Sequence, residues 1–414
     1  MRSNAVKTIL IVILILMGAA GVVLWFGAYF WGLFLLGGAG ILFYFQKRLF
    51  TKKEEAQNLI RKFFSNMLIP LVGIITAILI GGILMAVTGY NPFEAYKALF
   101  YGGFVKNWHV SILNATPLIF TGLSVAFAFK AGLFNIGAEG QYYIGAMAAT
   151  FLGIYLKLPG ILVIPLIFLV SGAVAGAYNY IPALLKVRTG AHEVITTMMF
   201  AHIARYLSNV FIRGFGGNPE TSTHPYVTWP IEKSSWLPRF QQFLPEANYR
   251  LHIGILIGIL LAFLVYYLLF YTKFGFEIRA IGQNPLAAKT QGISISTNTY
   301  RALLFAGFLA GIAGVVQVIG LDHKLFQNLS AGYGWNGISV ALLASNNPIG
   351  VIFTAILWGS LDAGGQYMAR TVQTPNAIVE IIKGIILFLV VARYIYVAIG
   401  NKIFKRKRIK RTAA

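Results

Sequence analysis

Polar positions interrupt this chain too rarely for a soluble fold. Apolar runs, broken by charge clusters and Pro/Gly turns, predict twelve membrane segments. They fall near 8–27, 29–46, 64–88, 112–130, 138–156, 161–180, 193–213, 251–271, 301–319, 335–346, 350–370 and 376–396. A full crossing takes about 20 predominantly apolar residues, so the short run WNGISVALLASN at 335–346 reads as a half-helix. The first run is longer than the roughly 7–15-residue apolar core of a secretory leader, and a second run follows at once. These two are expected to be a retained transmembrane hairpin.

Two connections are long. The one at 214–250 is rich in Pro, aromatic and polar residues and reads equally as a solvated cap or as a docking surface for an extracellular partner. The one at 272–300 contains NPLAAKTQGI, which predicts a short helix with Asn284 as N-cap, Pro285 at the first helical position and Gly292 as the stop. A short capped helix of small residues between two spans suits a socket on another protein.

Composition agrees with the pattern. Of 414 residues, 57% are hydrophobic and 11% charged, against about 25% charged in soluble domains, and the mean hydropathy is +0.72. The fold class is an all-α polytopic membrane protein. A net charge of +22 in a soluble chain would point to nucleic acid; in a membrane chain it reflects basic cytoplasmic loops, so no nucleic-acid partner is expected. With both termini inside, inner connections hold 22 Lys and Arg and outer ones nine, which fixes the expected orientation. Seven of these lie in the tail KIFKRKRIKRTAA, facing an anionic inner leaflet. Without cysteine there are no disulfides or thiolate metal sites.

Chemistry-bearing residues are few. Gly172/Gly176, Gly254/Gly258 and Gly307/Gly311 have the spacing that lets helices approach closely. Glu139, Glu193, Asp362 and Glu380 fall at or within spans, where an ionisable group is a functional-site candidate by default. Glu380 and Lys383 can pair on one helix face, whereas Asp362 stands open to either role. Glu139 and Glu193 each occupy a first helical turn, where capping explains a carboxylate as well as binding does. In GLFNIGAEGQ (132–141), Asn135, Glu139 and Gln141 together exceed what one cap needs. With Glu193, Thr196 and Thr197 they are the candidate substrate-pathway residues. The six histidines lack metal-ligand spacing, and no phosphate-binding GxxxxGK[ST] occurs. No catalytic residue, metal or cofactor is expected, and any ATP hydrolysis belongs to a separate polypeptide.

Four segments then appear in order: ATPLIFTGLSVAFAFKAGLFNIGAEGQYYIGA (115–146), GAHEVITTMM (190–199), FGFEIRAIGQNPLAAKTQGI (274–293) and YGWNGISVALLASNNPIG (333–350). Together they resemble permease subunits of bacterial ABC importers of the branched-chain-amino-acid and ribose permease superfamily, within its nucleoside and simple-sugar branch. The resemblance implies a type II importer permease core of about ten helices over 64–396. An extra two-helix hairpin and basic linker at 1–63 would precede it, and a basic cytoplasmic tail at 397–414 would follow. It further implies an ABC ATPase, a second related permease subunit and an extracellular substrate-binding lipoprotein as partners. The chain would sit in the cell membrane and carry a nucleoside or, alternatively, a simple sugar such as ribose or galactose. Gly275, Arg279, Ala280, Gly282, Asn284, Ala287, Ala288 and Gly292 match the family's coupling segment, which docks in a cleft of the ATPase. An ion-coupled carrier using Glu139, Glu193 and Asp362 is the rival reading from the residues alone.

Overall fold

The computed structural model describes residues 73–214, 227–240 and 249–392. The expected hairpin and linker at 1–63 and the tail at 397–414 lie outside the described residues. Thirteen α-helices are described, with two isolated antiparallel bridges, Val227–Phe326 and Arg239–His252, in place of any sheet. Five helices are long and apolar enough to cross a membrane. This is a multi-pass, all-α membrane protein.

The described residues divide into two compact units, one from 73–108 with 364–392 and one from 109–363. The first contains α1 (Gly73–Val87), α2 (Pro92–Phe100), the end of α12 (Pro348–Thr371) and α13 (Ala377–Val391). Helix α2 lies in a stretch the apolar pattern leaves unassigned, because it is short and amphipathic. Asn91 caps it, its Oδ1 accepting from the Phe93 and Glu94 N–H groups, and Pro92 occupies the first helical position. On α13 the Lys383 ammonium is buried and lies 2.8 Å from the Glu380 carboxylate, the pairing their spacing predicts.

The larger unit holds α3 (Trp108–Lys130), α4 (Ala138–Tyr155), α5 (Gly160–Thr189), α6 (Glu193–Gly214) and α7 (Gly254–Tyr271). It continues with α8 (Lys273–Gln283), α9 (Pro285–Thr290), α10 (Ile295–Val316, extended by a wide turn to Asp322) and α11 (Tyr333–Leu343). At its heart α10 is gripped between α5 and α4. Backbone approach makes this possible: a Cβ on Gly145 would overlap the Gly311 backbone, one on Gly314 the Tyr142 carbonyl, and one on Gly307 the Ala175 carbonyl. Around the crossing sit Tyr142, Met147, Ile312 and Val316, all buried. By contrast, α5 and α7 turn about two thirds of their most apolar windows outward, with Ile161 84% and Leu260 70% exposed, as helices solvated by lipid do.

Candidate functional site

Two stretches interrupt helices inside the larger unit, and both deliver a helix start to the same place. Residues 131–137 lead from the end of α3 into α4; residues 323–332 lead from α10 into the 11-residue α11. At about 1.5 Å per residue, α11 covers roughly half of a 30 Å hydrocarbon core, as a half-helix should. Its first carbonyl, on Tyr333, accepts a 3.0 Å hydrogen bond from Thr121 Oγ1, near the middle of the 23-residue α3. The start of α11 is therefore deep in the bundle.

Glu139 joins the two helix starts. Its Oε2 accepts from the Gly334 N–H at 2.8 Å, and the Trp335 N–H and Ser330 hydroxyl lie close to the same carboxylate. Ser330 Oγ in turn accepts from the Gly332 and Tyr333 N–H groups, at 3.2 Å each. Between them the two side chains satisfy donors that the opening turn of α11 leaves without intrahelical partners. The helices touch so closely here that a Cβ on Gly334 would overlap the Glu139 backbone.

Beside this junction lies a cavity of about 200 Å³. Glu139, Tyr143, Ser330, Gly332 and Trp335 line one part of it, and α6 contributes Ala201, His202 and Arg205. Arg205 is near the middle of the 22-residue α6, and its Nε and Nη2 donate to Asn328 Oδ1 at 3.2 and 2.8 Å. Asn328 has a left-handed backbone (φ 59), a conformation asparagine tolerates better than most residues. The His202 and Trp335 rings are 6.3 Å apart. The cavity thus presents aromatic faces and a positioned guanidinium at mid-depth, a setting for a polar solute with a flat ring.

Of the six expected pathway residues, Glu139 lines this cavity. Asn135 and Gln141 are locked together by reciprocal amide hydrogen bonds of 2.9 Å, and Asn135 also donates to Ser124 Oγ at 3.2 Å. Both are at most 1% exposed. Glu193 forms a 2.6 Å ion pair with Lys186, while Thr196 and Thr197 bond back to the Glu193 carbonyl at 3.2 and 2.7 Å. Thr197 is buried where α6 passes Gly137. Asp362 is half-buried on α12. Among the described residues no group of three His, Asp or Glu side chains is placed to hold a metal ion.

The 272–300 connection folds as a hairpin of α8 and α9. Thr272 caps α8 by accepting from the Gly275 N–H at 3.1 Å, and Asn284 caps α9 by accepting from the Ala287 N–H at 3.0 Å. Arg279 Nε donates to the Leu269 carbonyl at 2.8 Å, and its guanidinium lies 5.1 Å from the Phe270 ring centre. Gly282 packs against the Lys130 carbonyl and Gly132, pinning α8 to the stretch that leads to Asn135. Ala280 is half-buried and Ala288 buried, and Gly292 ends α9 with φ 78. Facing out are Ala287 and Leu286, the latter 76% exposed. At the opposite end of the unit, residues 227–240 clasp the approach to 323–332. The Leu237 N–H donates to Ile319 O (2.8 Å), Ile231 N–H to His323 O (2.9 Å), and Trp236 stacks on the His323 ring at 3.8 Å.

A family model described as "Branched-chain amino acid transport system / permease component" matches residues 110–391. The chain belongs to this permease family. Among relatives, the guanosine ABC transporter permease protein NupP of Bacillus subtilis is 34% identical over 83% of this chain and 99% of its own length. The nucleoside ABC transporter permease protein NupB of Lactococcus lactis is 32% identical over 84% and 96%. The glucose ABC transporter permease protein TsgB13 of Haloferax volcanii is 29% identical over 82% and 89%. No solved structure matches the chain.

In this permease the cavity residues Tyr143, His202, Arg205, Asn328, Ser330 and Trp335 escaped sequence reasoning. One signal was available: Arg205 is a guanidinium inside an apolar span, and such a group marks a solute path or a buried partner. Asn328 and Ser330 lie in QNLSAGYG, which reads in sequence as an ordinary loop.

Proposed function

We propose that the chain is the transmembrane permease of an ATP-driven importer of nucleosides. The observation that carries this reading is the mid-depth cavity at the meeting of α4 and α11, where polar groups and aromatic faces converge beside two helix starts. The names of the guanosine and nucleoside relatives support the substrate class. In this reading residues 64–396 form the permease proper, 1–63 an additional hairpin and linker, and 397–414 a basic tail. Both termini face the cytoplasm. A separate ABC ATPase hydrolyses ATP, a second related permease completes the membrane pair, and an extracellular lipoprotein delivers solute over the 214–250 connection. No cofactor is required of the permease itself. Asn135, Gln141, Glu193, Thr196 and Thr197 hold the walls of the path, and Glu139 lies on it.

The α8–α9 hairpin is suited to coupling. Its caps make it rigid, Gly282 ties it to the α3–α4 connection, and its outward apolar tip fits a cleft on the ATPase. Closure of the ATPase would then shift the stretch that carries Asn135 as a body and bias the bundle between two packings. The test is ATP-dependent uptake into proteoliposomes that contain the permease pair, ATPase and receptor. Nucleoside uptake is expected, and Leu286→Glu is expected to abolish it without unfolding the chain. Uptake of glucose but of no nucleoside overturns the substrate class. Uptake by this chain alone on an ion gradient overturns the importer.

A further inference from the structure

Arg205 poses a chemical problem that the importer reading leaves unsolved. It projects into the cavity from the middle of α6 and forms no ion pair among the described residues. Glu139, the carboxylate of the cavity, accepts from the Gly334 N–H and attracts the guanidinium without forming an ion pair with it. Arg205 is exposed on α6 within an apolar span, where a guanidinium calls for acceptors. Asn328 Oδ1 takes Nε–H and one Nη2–H. Of the five N–H groups of arginine, the end-on pair on Nη1 and Nη2 remains free and is held in a fixed direction.

Resting on the nucleoside reading above, we propose that Arg205, aimed by Asn328, reads the O6/N7 edge of a 6-oxopurine base, so that the cavity prefers inosine and guanosine to other nucleosides. The free fork demands two acceptors side by side. Guanine offers O6 and N7 in that arrangement, and hypoxanthine carries the same pair; adenine sets an N6 donor beside N7 and opposes one arm of the fork. Uracil flanks its O4 with N3–H and C5–H and leaves one arm without an acceptor. Trp335, Tyr143 and His202 supply the ring faces among which a flat purine can lie.

The test is saturation-transfer NMR on the assembled permease pair and ATPase in lipid nanodiscs. The receptor is omitted so that its own selectivity does not enter, and inosine, guanosine, adenosine and uridine are the probes. Inosine and guanosine are expected to bind about tenfold more tightly than adenosine and uridine, the scale of one bidentate pair. Arg205→Lys keeps the charge and removes the fork, and should bring inosine and adenosine to equal affinity. Asn328→Gly keeps the left-handed backbone and frees the fork, and should narrow the preference; it decides the matter if Arg205→Lys does not assemble. Equal binding of inosine and adenosine by the unaltered complex overturns the proposal, as does a preference unchanged in the decisive variant. Absence of nucleoside binding to the receptor-free complex also overturns it. If the full importer then still carries nucleosides, the importer reading stands without this site; if it carries sugars alone, both fall.

Discussion

Residues 131–137 and 323–332 do the same topological work and differ in how they are held. Each ends a long helix and starts another deep in the larger unit. The first is closed on itself: the Asn135–Gln141 amide pair, tied to Ser124, satisfies its own polar atoms and leaves none facing the cavity. The second is held from outside, by Glu139 at one end and by the 227–240 clasp at the other, and its Asn328 and Ser330 form cavity wall. A self-satisfied break serves as scaffold. A break whose polar groups depend on neighbours can change partners when the neighbours move, as a transport path requires.

The contrast can be broken at four points. The largest effect is expected where the two stretches meet: Gly334→Val forces a side chain onto the Glu139 backbone and should cost about 3 kcal/mol, read as loss of the folded complex in gel filtration. Next, Asn135→Leu or Gln141→Leu strands a buried amide and should each cost about 1–3 kcal/mol in thermal unfolding. The double variant should cost less than the sum, because both partners leave together.

A smaller, pH-dependent effect belongs to the clasp. Burial, first, and the neighbouring Arg239 and Arg250 push the His323 pKa down to about 4, and Arg239 Nη2 donates to His323 Nε2 at 2.6 Å. An unfolded histidine titrates near 6.5, so between about pH 6.5 and 4 the unfolded chain binds the extra proton. Stability should be full above that window and fall as pH drops through it. His323→Gln, which retains an acceptor for Arg239, should weaken this dependence in melts between pH 7.5 and 5; the remainder belongs to His252, whose pKa burial, first, and Arg239 lower to about 3. The smallest stability change is expected for Asn328→Gly, within about 1 kcal/mol because glycine accepts the same backbone; it should instead raise the KM for uptake several-fold by releasing Arg205.

Helix existence was legible because lipid imposes long apolar runs, and α4 starts at Ala138 as the pattern predicts. The caps of α9 were legible because Asn284, Pro285 and Gly292 are local signals, each acting within three residues. Helix α2 was missed because nine amphipathic residues do not register in a search for spans. The site was legible in half. GLFNIGAEGQ stands out as polar residues between apolar runs, but sequence does not separate the two amides that satisfy each other from the carboxylate that reaches Gly334, 195 positions away. Arg205 lies 123 positions before Asn328 and Trp335 follows Asn328 closely, so their meeting depends on how α6 packs against the 323–332 stretch, a tertiary fact.

The chain contains no cysteine, so a single introduced thiol reports on one place. His202→Cys puts that thiol at an exposed position of the cavity wall and Ser124→Cys puts it in the buried amide lock. The decisive measurement is labelling of each by a water-soluble maleimide in the reconstituted importer, with and without nucleoside. Position 202 is expected to be labelled and protected by nucleoside, while position 124 stays unreacted. Equal labelling of both, or labelling at 202 that nucleoside leaves unchanged during active uptake, would rule out a transport path through this cavity.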